Sequence, residues 1–433
     1  MAIANLKSNV TTSVAPGSSY KTPLAVLTTL FFMWGFITVL NDILVPHLKS
    51  IFELNYTRVM LIQFAFFSAY FIFSIPSAKV IDAIGYKKTM VAGLLTIAIG
   101  ALLFIPSASV PSYPLFLTAL MILAAGITAL QVAANPYVAV LGPPETASSR
   151  LNLAQAFNSL GTTIGPYLGG LLILSSTAKS TESIRQMSAD AVQAYRIHEA
   201  SSVKLPYFLI ALTLIALSVA IGMFKLPPMP GAERHAGTPK ESLWKYRHLV
   251  LGAVAIFVYV GAEVSIGSFL VNYFSQPDIG NLTEKEAARF VSFYWGSAMI
   301  GRFIGSAILQ KVRTGIVLGF AAAMASLLVC MSMLTTGHVA MWSIILVGLF
   351  NSVMFPSIFT LGIAELGPLT GDGSGMLVMA IVCGAILPVA QGALADHFGI
   401  HHAFFLPAIC YLYIIYYALW GSRPTPGPQL HTS

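Results

Sequence analysis

The chain has 433 residues, of which 56% are hydrophobic and only 9% are charged. A soluble domain usually carries about 25% charged residues, so this composition excludes a soluble globular protein and indicates a polytopic membrane protein. The formal net charge is +7, and we interpret the basic residues as anchors at the membrane surface, with no nucleic-acid partner. Three cysteines show neither disulfide nor metal-ligand spacing, so no metal site is expected.

Twelve apolar segments are long enough to cross a bilayer as helices, which takes about 20 residues each. They do not alternate in the manner of barrel strands, so we expect an all-α membrane protein. The predicted spans 1 to 12 cover residues 22–48, 58–81, 89–109, 114–141, 151–175, 204–225, 249–274, 288–310, 315–335, 339–362, 374–395 and 402–420.

A polar, proline-containing segment divides six spans from six, and we interpret it as a linker between two bundles. Most of the 23 Lys and Arg residues lie on the same side of the predicted membrane as the two termini. Because cytoplasmic loops carry an excess of basic residues, we expect both termini in the cytoplasm. The expected organisation is a tail at 1–21, an N-terminal six-helix bundle at 22–226, a cytoplasmic linker at 227–247, a C-terminal bundle at 248–421 and a tail at 422–433.

A weak internal repeat supports two related halves. In span 4, Gln131 precedes Pro136 by five residues, and in span 10 Asn351 precedes Pro356 by the same interval. Repeats of this kind are typical of transporters, which bind their cargo between the two halves.

Two carboxyl groups lie within spans: Asp42 in span 1 and Glu263 in span 7. A charge inside a membrane helix costs about 2.5–3.5 kcal/mol on insertion scales, and such residues usually mark pathways. Burial disfavours the charged form of a carboxylate, so an aspartate reached by water from one side at a time would suit proton transfer. The alternative for each is a carboxylate that only fixes helix packing. Arg302, near the cytoplasmic end of span 8, is expected to hold a loop.

Five amides lie on two consecutive spans. Gln131 and Asn135 share a face of span 4, and Asn152, Gln155 and Asn158 form one stripe on span 5. Amides inside a bilayer either join helices or contact a ligand. Their number here, with Asn351 at the repeat position of Gln131, favours the lining of a cavity.

A neutral sugar suits such a lining, because each amide offers both a donor and an acceptor to the hydroxyl groups. Trp34, Tyr294 and Trp295 are candidates to cover the apolar faces of the ring, although membrane aromatics also serve packing. The nine histidines are scattered, and no cluster predicts catalytic residues, so an enzyme is not expected.

Six strings carry further information: "FFMWGF…NDILVPHL", "QVAANPYVAVLGP", "RLNLAQAFNSLG", "YVGAEVSIGSFLVNYF", "GRFIG" and "FPSIFTLGI". Together, from about residue 20 to 420, they resemble the fucose permease and glucose/galactose permease branch of the major facilitator superfamily. The resemblance implies twelve helices in two pseudo-symmetric six-helix bundles. It also implies symport of a monosaccharide with protons by alternating access, without a cofactor.

The resemblance also implies roles for individual residues. Asp42 in "NDIL" falls on the family's membrane aspartate, with Asn41 beside it as a substrate-binding candidate, and Gln155 and Asn158 fall on substrate-contacting amides. With Gln131, Asn135, Asn351, Trp34, Trp295 and Glu263, these residues form the predicted substrate site.

The loop between spans 2 and 3 reads "AKVIDAIGYKK" and fits the short loop signature of the superfamily. Asp82, Gly85 and Lys87 correspond to its carboxylate, its turn glycine and one of its basic residues. Two interpretations stay open, a gating contact or an ordinary anchored loop.

The chain departs from fucose permeases at two positions. They have a membrane glutamate where this chain has Gln131, and a glutamine where it has Glu263. This favours a glucose/galactose-type hexose, with proton coupling by Asp42 alone or with Glu263, and sodium coupling stays open. We expect a monomeric importer in a bacterial cytoplasmic membrane, with an exporter or a non-transporting sugar receptor as alternatives.

Overall fold

The computed structural model describes residues 20–52, 56–109, 112–173, 187–188, 191, 204–229 and 241–425. For 39–52, 56–60, 108, 166–173 and 284 the description covers the backbone alone. The greater parts of both predicted tails and the middle of the predicted linker lie outside it.

The described secondary structure is helical, without strands in the ranges given above, and the predicted spans are found in order. Spans 1 to 6 are Lys21–Phe52, Tyr56–Ser109 (which contains spans 2 and 3), Tyr113–Val140, Ala147–Ile173 and Lys204–Met223. Spans 7 to 9 are Arg247–Phe274, Glu284–Ile308 and Thr314–Leu334. Spans 10 to 12 consist of Gly337–Asn351 with Met354–Gly362, Thr370–Met379 with Cys383–Phe398, and Ile400–Ala403 with Phe405–Tyr416.

Ten segments in the described part of the chain are long and apolar enough to cross a membrane. Spans 5 and 8 are equally long helices but are more polar, because each carries several polar or charged side chains. Asn152, Gln155 and Ser159 of span 5 are nevertheless buried. Polar groups in a membrane helix are tolerated when they face protein or a cavity, so this side of span 5 faces the interior of the bundle.

Spans 10 and 11 were predicted as continuous helices, and each is interrupted. Span 10 breaks between Asn351 and Met354, because Pro356 has no N–H to donate to the carbonyl of Ser352. Span 11 contains a 3₁₀ turn at Ala380–Val382. An uninterrupted apolar run in the sequence gives no sign of such a local change in hydrogen bonding.

The turn between spans 2 and 3 is made at Gly85, whose φ of 81° and ψ of 164° suit glycine. Asp82 is half-buried beside it. Two residues on, the Lys87 ammonium donates to the carbonyl of Gly222 at 2.7 Å. The predicted gating loop therefore connects the beginning of span 3 to the end of span 6.

The two halves meet through a symmetric pair of contacts: span 2 packs against span 11, and span 5 packs against span 8. Span 8 is the counterpart of span 2 in the second half, and span 11 is the counterpart of span 5. The two contacts are therefore equivalent. Within the halves, span 1 packs against span 5 and span 7 against span 11, which again correspond. The arrangement is that of two pseudo-symmetric bundles of six.

Large apolar side chains cover the outside of the bundle. Phe64, Ile99, Leu212, Phe320 and Leu412 are each more than half exposed. Water would disfavour such a surface, whereas lipid accepts it, so the surface agrees with a multi-pass membrane protein.

Close packing of spans 1 and 5 requires a glycine at position 35. A Cβ there would lie 2.8 Å from the carbonyl carbon of Asn158. We therefore expect Gly35→Ala to cost about 1–3 kcal/mol of stability, as overpacking does, and to lower the melting temperature of the detergent-solubilised protein. The matched control is Gly222→Ala, since a Cβ at Gly222 has no neighbour within 4 Å in the described residues. Equal melting temperatures for the two variants would contradict this packing.

Candidate functional site

A cavity of about 310 Å³ lies between the two halves, within the range of about 300–1,000 Å³ that ligand pockets occupy. Its walls come from spans 1, 2, 4, 7 and 8. The lining residues among those that the structure describes are Thr38, Ile62, Gln63, Phe66, Phe67, Leu120, Val264, Gly267, Ser268 and Trp295. None of these described side chains is charged, and such a lining suits a neutral ligand.

Four polar groups line this mostly apolar cavity. Gln63 offers an amide, Ser268 and Thr38 offer hydroxyl groups, and Trp295 offers an indole N–H. The Thr38 hydroxyl donates to the carbonyl of Trp34 at 2.9 Å, which leaves its oxygen as an acceptor. Trp295 is 44% exposed, and its ring stands edge to face with Tyr294 at 5.1 Å between centroids. Sequence reasoning found Trp295 but missed the other three, because a single polar residue in an apolar run resembles an ordinary surface position.

At one end of the bundle the halves are joined by hydrogen bonds between small side chains. The hydroxyl of Ser148 lies 2.8 Å from that of Thr314 and 2.6 Å from that of Thr360. Ser149 donates to the carbonyl of Ser306 at 2.7 Å. We call this the closed end. The cavity lies toward the opposite ends of spans 2 and 7, which we call the open end.

Pro136 in span 4 contributes to the contact between the halves. A proline has no N–H, so it leaves the carbonyl of Val132, four residues earlier, without its helical partner. Ser374 of span 11 donates its hydroxyl to this carbonyl at 2.8 Å. The helix continues through Pro136 to Val140, so the proline at this position frees an acceptor for the other half.

The amides at the repeat positions make equivalent contacts in both halves. Gln131 of span 4 donates to the Tyr70 hydroxyl of span 2 at 2.8 Å. Asn351 of span 10 donates to the Tyr294 hydroxyl of span 8 at 3.0 Å, and it also accepts from Tyr411 of span 12 at 2.7 Å. In this state both amides join helices and do not line the cavity.

Of the three predicted amides in span 5, two donate hydrogen bonds to other helices and one makes no hydrogen bond within the described residues. Asn158 donates to the carbonyl of Phe31 in span 1 at 3.0 Å, and Asn152 donates to the carbonyl of Arg302 in span 8 at 2.7 Å. Gln155 is 6% exposed, and its amide makes no hydrogen bond within the described residues.

Asn135 in span 4 is fully buried, and neither atom of its amide has a partner in the part of the chain that the structure describes. Like Gln131, it lies on the closed-end side of the cavity. Gln131 comes eleven residues after the cavity residue Leu120 in span 4, roughly 16 Å along the helix. The predicted amides and the observed cavity therefore occupy different depths of the bundle.

Glu263 lies in span 7, one residue before the cavity residue Val264. One of its carboxylate oxygens, Oε1, is buried without a hydrogen-bond partner among the described residues. It interacts with the Tyr259 hydroxyl and with the charge of Arg302.

The prediction for Arg302 is wrong. We expected this residue to hold a loop, and it does not. Its guanidinium donates to the Ser159 hydroxyl in span 5, because span 8 packs directly against span 5. Asn41 and Asp42 belong to the helix of span 1, but their side chains lie outside the described part of the structure.

Trp34 is only 8% exposed and packs against Phe31, with 5.3 Å between ring centroids. Its ring is therefore part of the core beneath the cavity residue Thr38. A tryptophan on an apolar helix gives no sequence signal that separates this position from a cavity wall.

Comparison with known proteins agrees with this architecture. Residues 25–387 match the model of the Major Facilitator Superfamily. The chain is 54% identical to a glucose/galactose transporter of Brucella abortus, over 95% of this chain and 97% of that protein. It is 36% identical to an L-fucose-proton symporter of Escherichia coli, over 94% of each.

A solved structure supports the same relationship. The crystal structure of the superfamily transporter FucP in the outward conformation superposes with a TM-score of 0.87 at 35% sequence identity, over 93% of this chain and 99% of that one. The family match and these similarities span nearly all of the described fold. The chain is a member of the major facilitator superfamily, in the branch of the glucose/galactose and fucose permeases.

Proposed function

We propose that this protein imports a neutral hexose of the glucose/galactose type together with protons across the cytoplasmic membrane of a bacterium. The observation that carries the proposal is the cavity between the halves, whose described lining offers amide, hydroxyl and indole groups and carries no charge. The names of the relatives, a glucose/galactose transporter and an L-fucose-proton symporter, support a sugar and a proton respectively.

The cavity chemistry fits a sugar. Each sugar hydroxyl is both donor and acceptor, and so is the amide of Gln63. The exposed face of Trp295 offers an apolar surface for the ring. Gln155, which lacks a partner within the described residues, is the next contact for a sugar that moves toward the closed end. Asn41, Gln131, Asn135, Asn158, Asn351 and Trp34 stay proposed substrate residues, and several would have to exchange a protein partner for a sugar hydroxyl.

The state described here suits the loading of substrate from outside. With both termini in the cytoplasm, the closed end faces the cytoplasm and the open end faces the exterior. We propose that the bundles 22–226 and 248–421 rock about the cavity as a monomer, with 227–247 as their linker. The loop with Asp82, Gly85 and Lys87 would steady the closed end.

Asp42 and Glu263 are the proposed proton carriers. Asp42 follows the cavity residue Thr38 by four residues, which is about one helical turn, and Glu263 precedes the cavity residue Val264. The proposal requires that water in the cavity reach both carboxyl groups. Sodium coupling and export are the alternatives within the same fold.

The first test of the proposal is uptake by proteoliposomes. The wild-type protein is expected to accumulate labelled galactose or glucose when the outside is acidic, and sodium should not replace the pH gradient. Asp42→Asn should abolish this accumulation but retain sugar counterflow, because the neutral side chain cannot carry a proton. Accumulation at the wild-type level by Asp42→Asn would refute its role, and the absence of any uptake by the wild type would favour a non-transporting receptor.

The second test concerns the cavity. We expect Gln63→Ala, Trp295→Ala and Gln155→Ala each to weaken galactose binding about 5- to 100-fold, since a lost hydrogen bond or apolar contact costs roughly 1–3 kcal/mol. Calorimetry at two pH values measures this, and the loss should be the same at both. Gln310→Ala, an exposed glutamine at the closed end, is the matched control. Wild-type affinity in a variant would remove that residue from the site.

A further inference from the structure

Arg302 interacts both with Glu263 of span 7 and with span 5 across the interface between the halves. From span 8, its guanidinium donates to the Ser159 hydroxyl of span 5, and its carbonyl accepts from the Asn152 amide at 2.7 Å. Both contacts cross from one half to the other. Both must break when spans 5 and 8 separate at the closed end.

One nitrogen of the same guanidinium has no hydrogen-bond partner in the part of the chain that the structure describes. Its Nε is buried and has no acceptor among the described residues. The Glu263 carboxyl group also has a buried oxygen without a donor there. The two side chains interact electrostatically, but they form no ion pair within 4.0 Å. A buried donor and a buried acceptor that stay unpaired are costly, so a rearrangement that brings them together would be favoured once the guanidinium is released.

From this geometry we infer that Arg302 alternates between Ser159 and Glu263, and that this exchange couples opening of the closed end to release of a proton. This inference rests on the proposed function as a symporter. With the closed end shut, Arg302 is held by Ser159, and the buried Glu263 carboxyl group accepts a proton from water at the open side. When the closed end opens, Arg302 loses Ser159 and pairs with Glu263. A guanidinium beside a carboxyl group stabilises the carboxylate, so the proton leaves to water on the side that has just opened.

Glu263 is the group that titrates in this cluster. The titratable or charged side chains that interact with it are Tyr259, Tyr294, Arg302 and Tyr411, and on span 11 Cys383 packs against Gly261, two residues before it. Phenols ordinarily titrate near pH 10 and thiols near pH 8.5, above the range in which proton-driven uptake is measured. Among these described neighbours, Glu263 therefore supplies the response. Asp42 is the other membrane carboxyl group, and the test below separates the two.

The test measures the pH dependence of galactose counterflow in proteoliposomes, which needs no net proton movement. In Ser159→Ala, Arg302 loses its partner across the interface and pairs with Glu263 before the closed end opens. The carboxyl group then binds its proton only at lower pH, so the midpoint of counterflow should move about one pH unit toward acid. Arg302→Gln should move it toward alkaline pH and reduce proton-driven accumulation at least 10-fold, because Glu263 keeps its proton.

Ser149→Ala is the matched control. It also removes a serine hydrogen bond between the halves at the closed end, but it does not contact Arg302, so the midpoint should not move. In a Glu263→Gln background, Ser159→Ala should leave the midpoint unchanged, which separates an effect on Glu263 from one on Asp42.

The outcomes are distinct. Equal midpoints for Ser159→Ala and Ser149→Ala, or a Ser159→Ala shift that persists with Glu263→Gln, would overturn the role of Arg302 and leave the proposed function standing. Absence of counterflow in the wild type at every pH would refute the proposed function itself. A thermal melt identifies any variant that does not fold, and the other variant then carries the test, since the two shifts have opposite signs.

Discussion

The pairing of polar groups inside an apolar bilayer is the constraint on which the rest of this structure depends. No water is present in the hydrocarbon region, so each buried donor or acceptor needs a partner in the protein or in a cavity. At the closed end, serine and threonine hydroxyls of one half find partners in the other. Those pairs hold the halves together on one side and leave the cavity between them on the other.

Small uncharged partners suit an interface that has to open. A hydroxyl that loses a protein partner can bond to water in a newly opened cavity, so each such contact has a modest net energy of about 0.5–1.5 kcal/mol. Pro136 in span 4 also produces an uncharged contact between the halves, because it leaves the Val132 carbonyl free to accept a hydrogen bond from Ser374. Arg302 is the exception, since its released charge requires a partner. Within the described cluster the available one is Glu263.

The two halves repeat one arrangement of polar groups. An amide on the fourth helix of each half binds a tyrosine on the second helix, as Gln131 does with Tyr70 and Asn351 with Tyr294. The membrane carboxyl groups correspond as well, since Asp42 lies in span 1 and Glu263 in span 7, the first helix of each half.

The sequence was sufficient for the fold, because span length and apolar composition are set by the bilayer itself. The helix bounds agree with the predicted spans to within four residues wherever the helix end is described, and the family resemblance is confirmed. The site was less predictable. The breaks in spans 10 and 11, the Ser159 contact of Arg302 and the cavity position of Gln63 all depend on which side chain of a distant helix lies opposite. A periodic pattern identifies a polar face, but it does not identify the partner of that face.

The central claim is that the closed end opens when a proton and a sugar are bound. Pulsed electron paramagnetic resonance measures this most directly, with spin labels on Glu145→Cys and Val312→Cys, which are exposed at the closed end in opposite halves, after replacement of Cys330, Cys383 and Cys410. Galactose at acidic pH should populate a second, longer distance that galactose at alkaline pH does not. A single unchanged distance, with galactose binding verified on the same sample, would contradict the account.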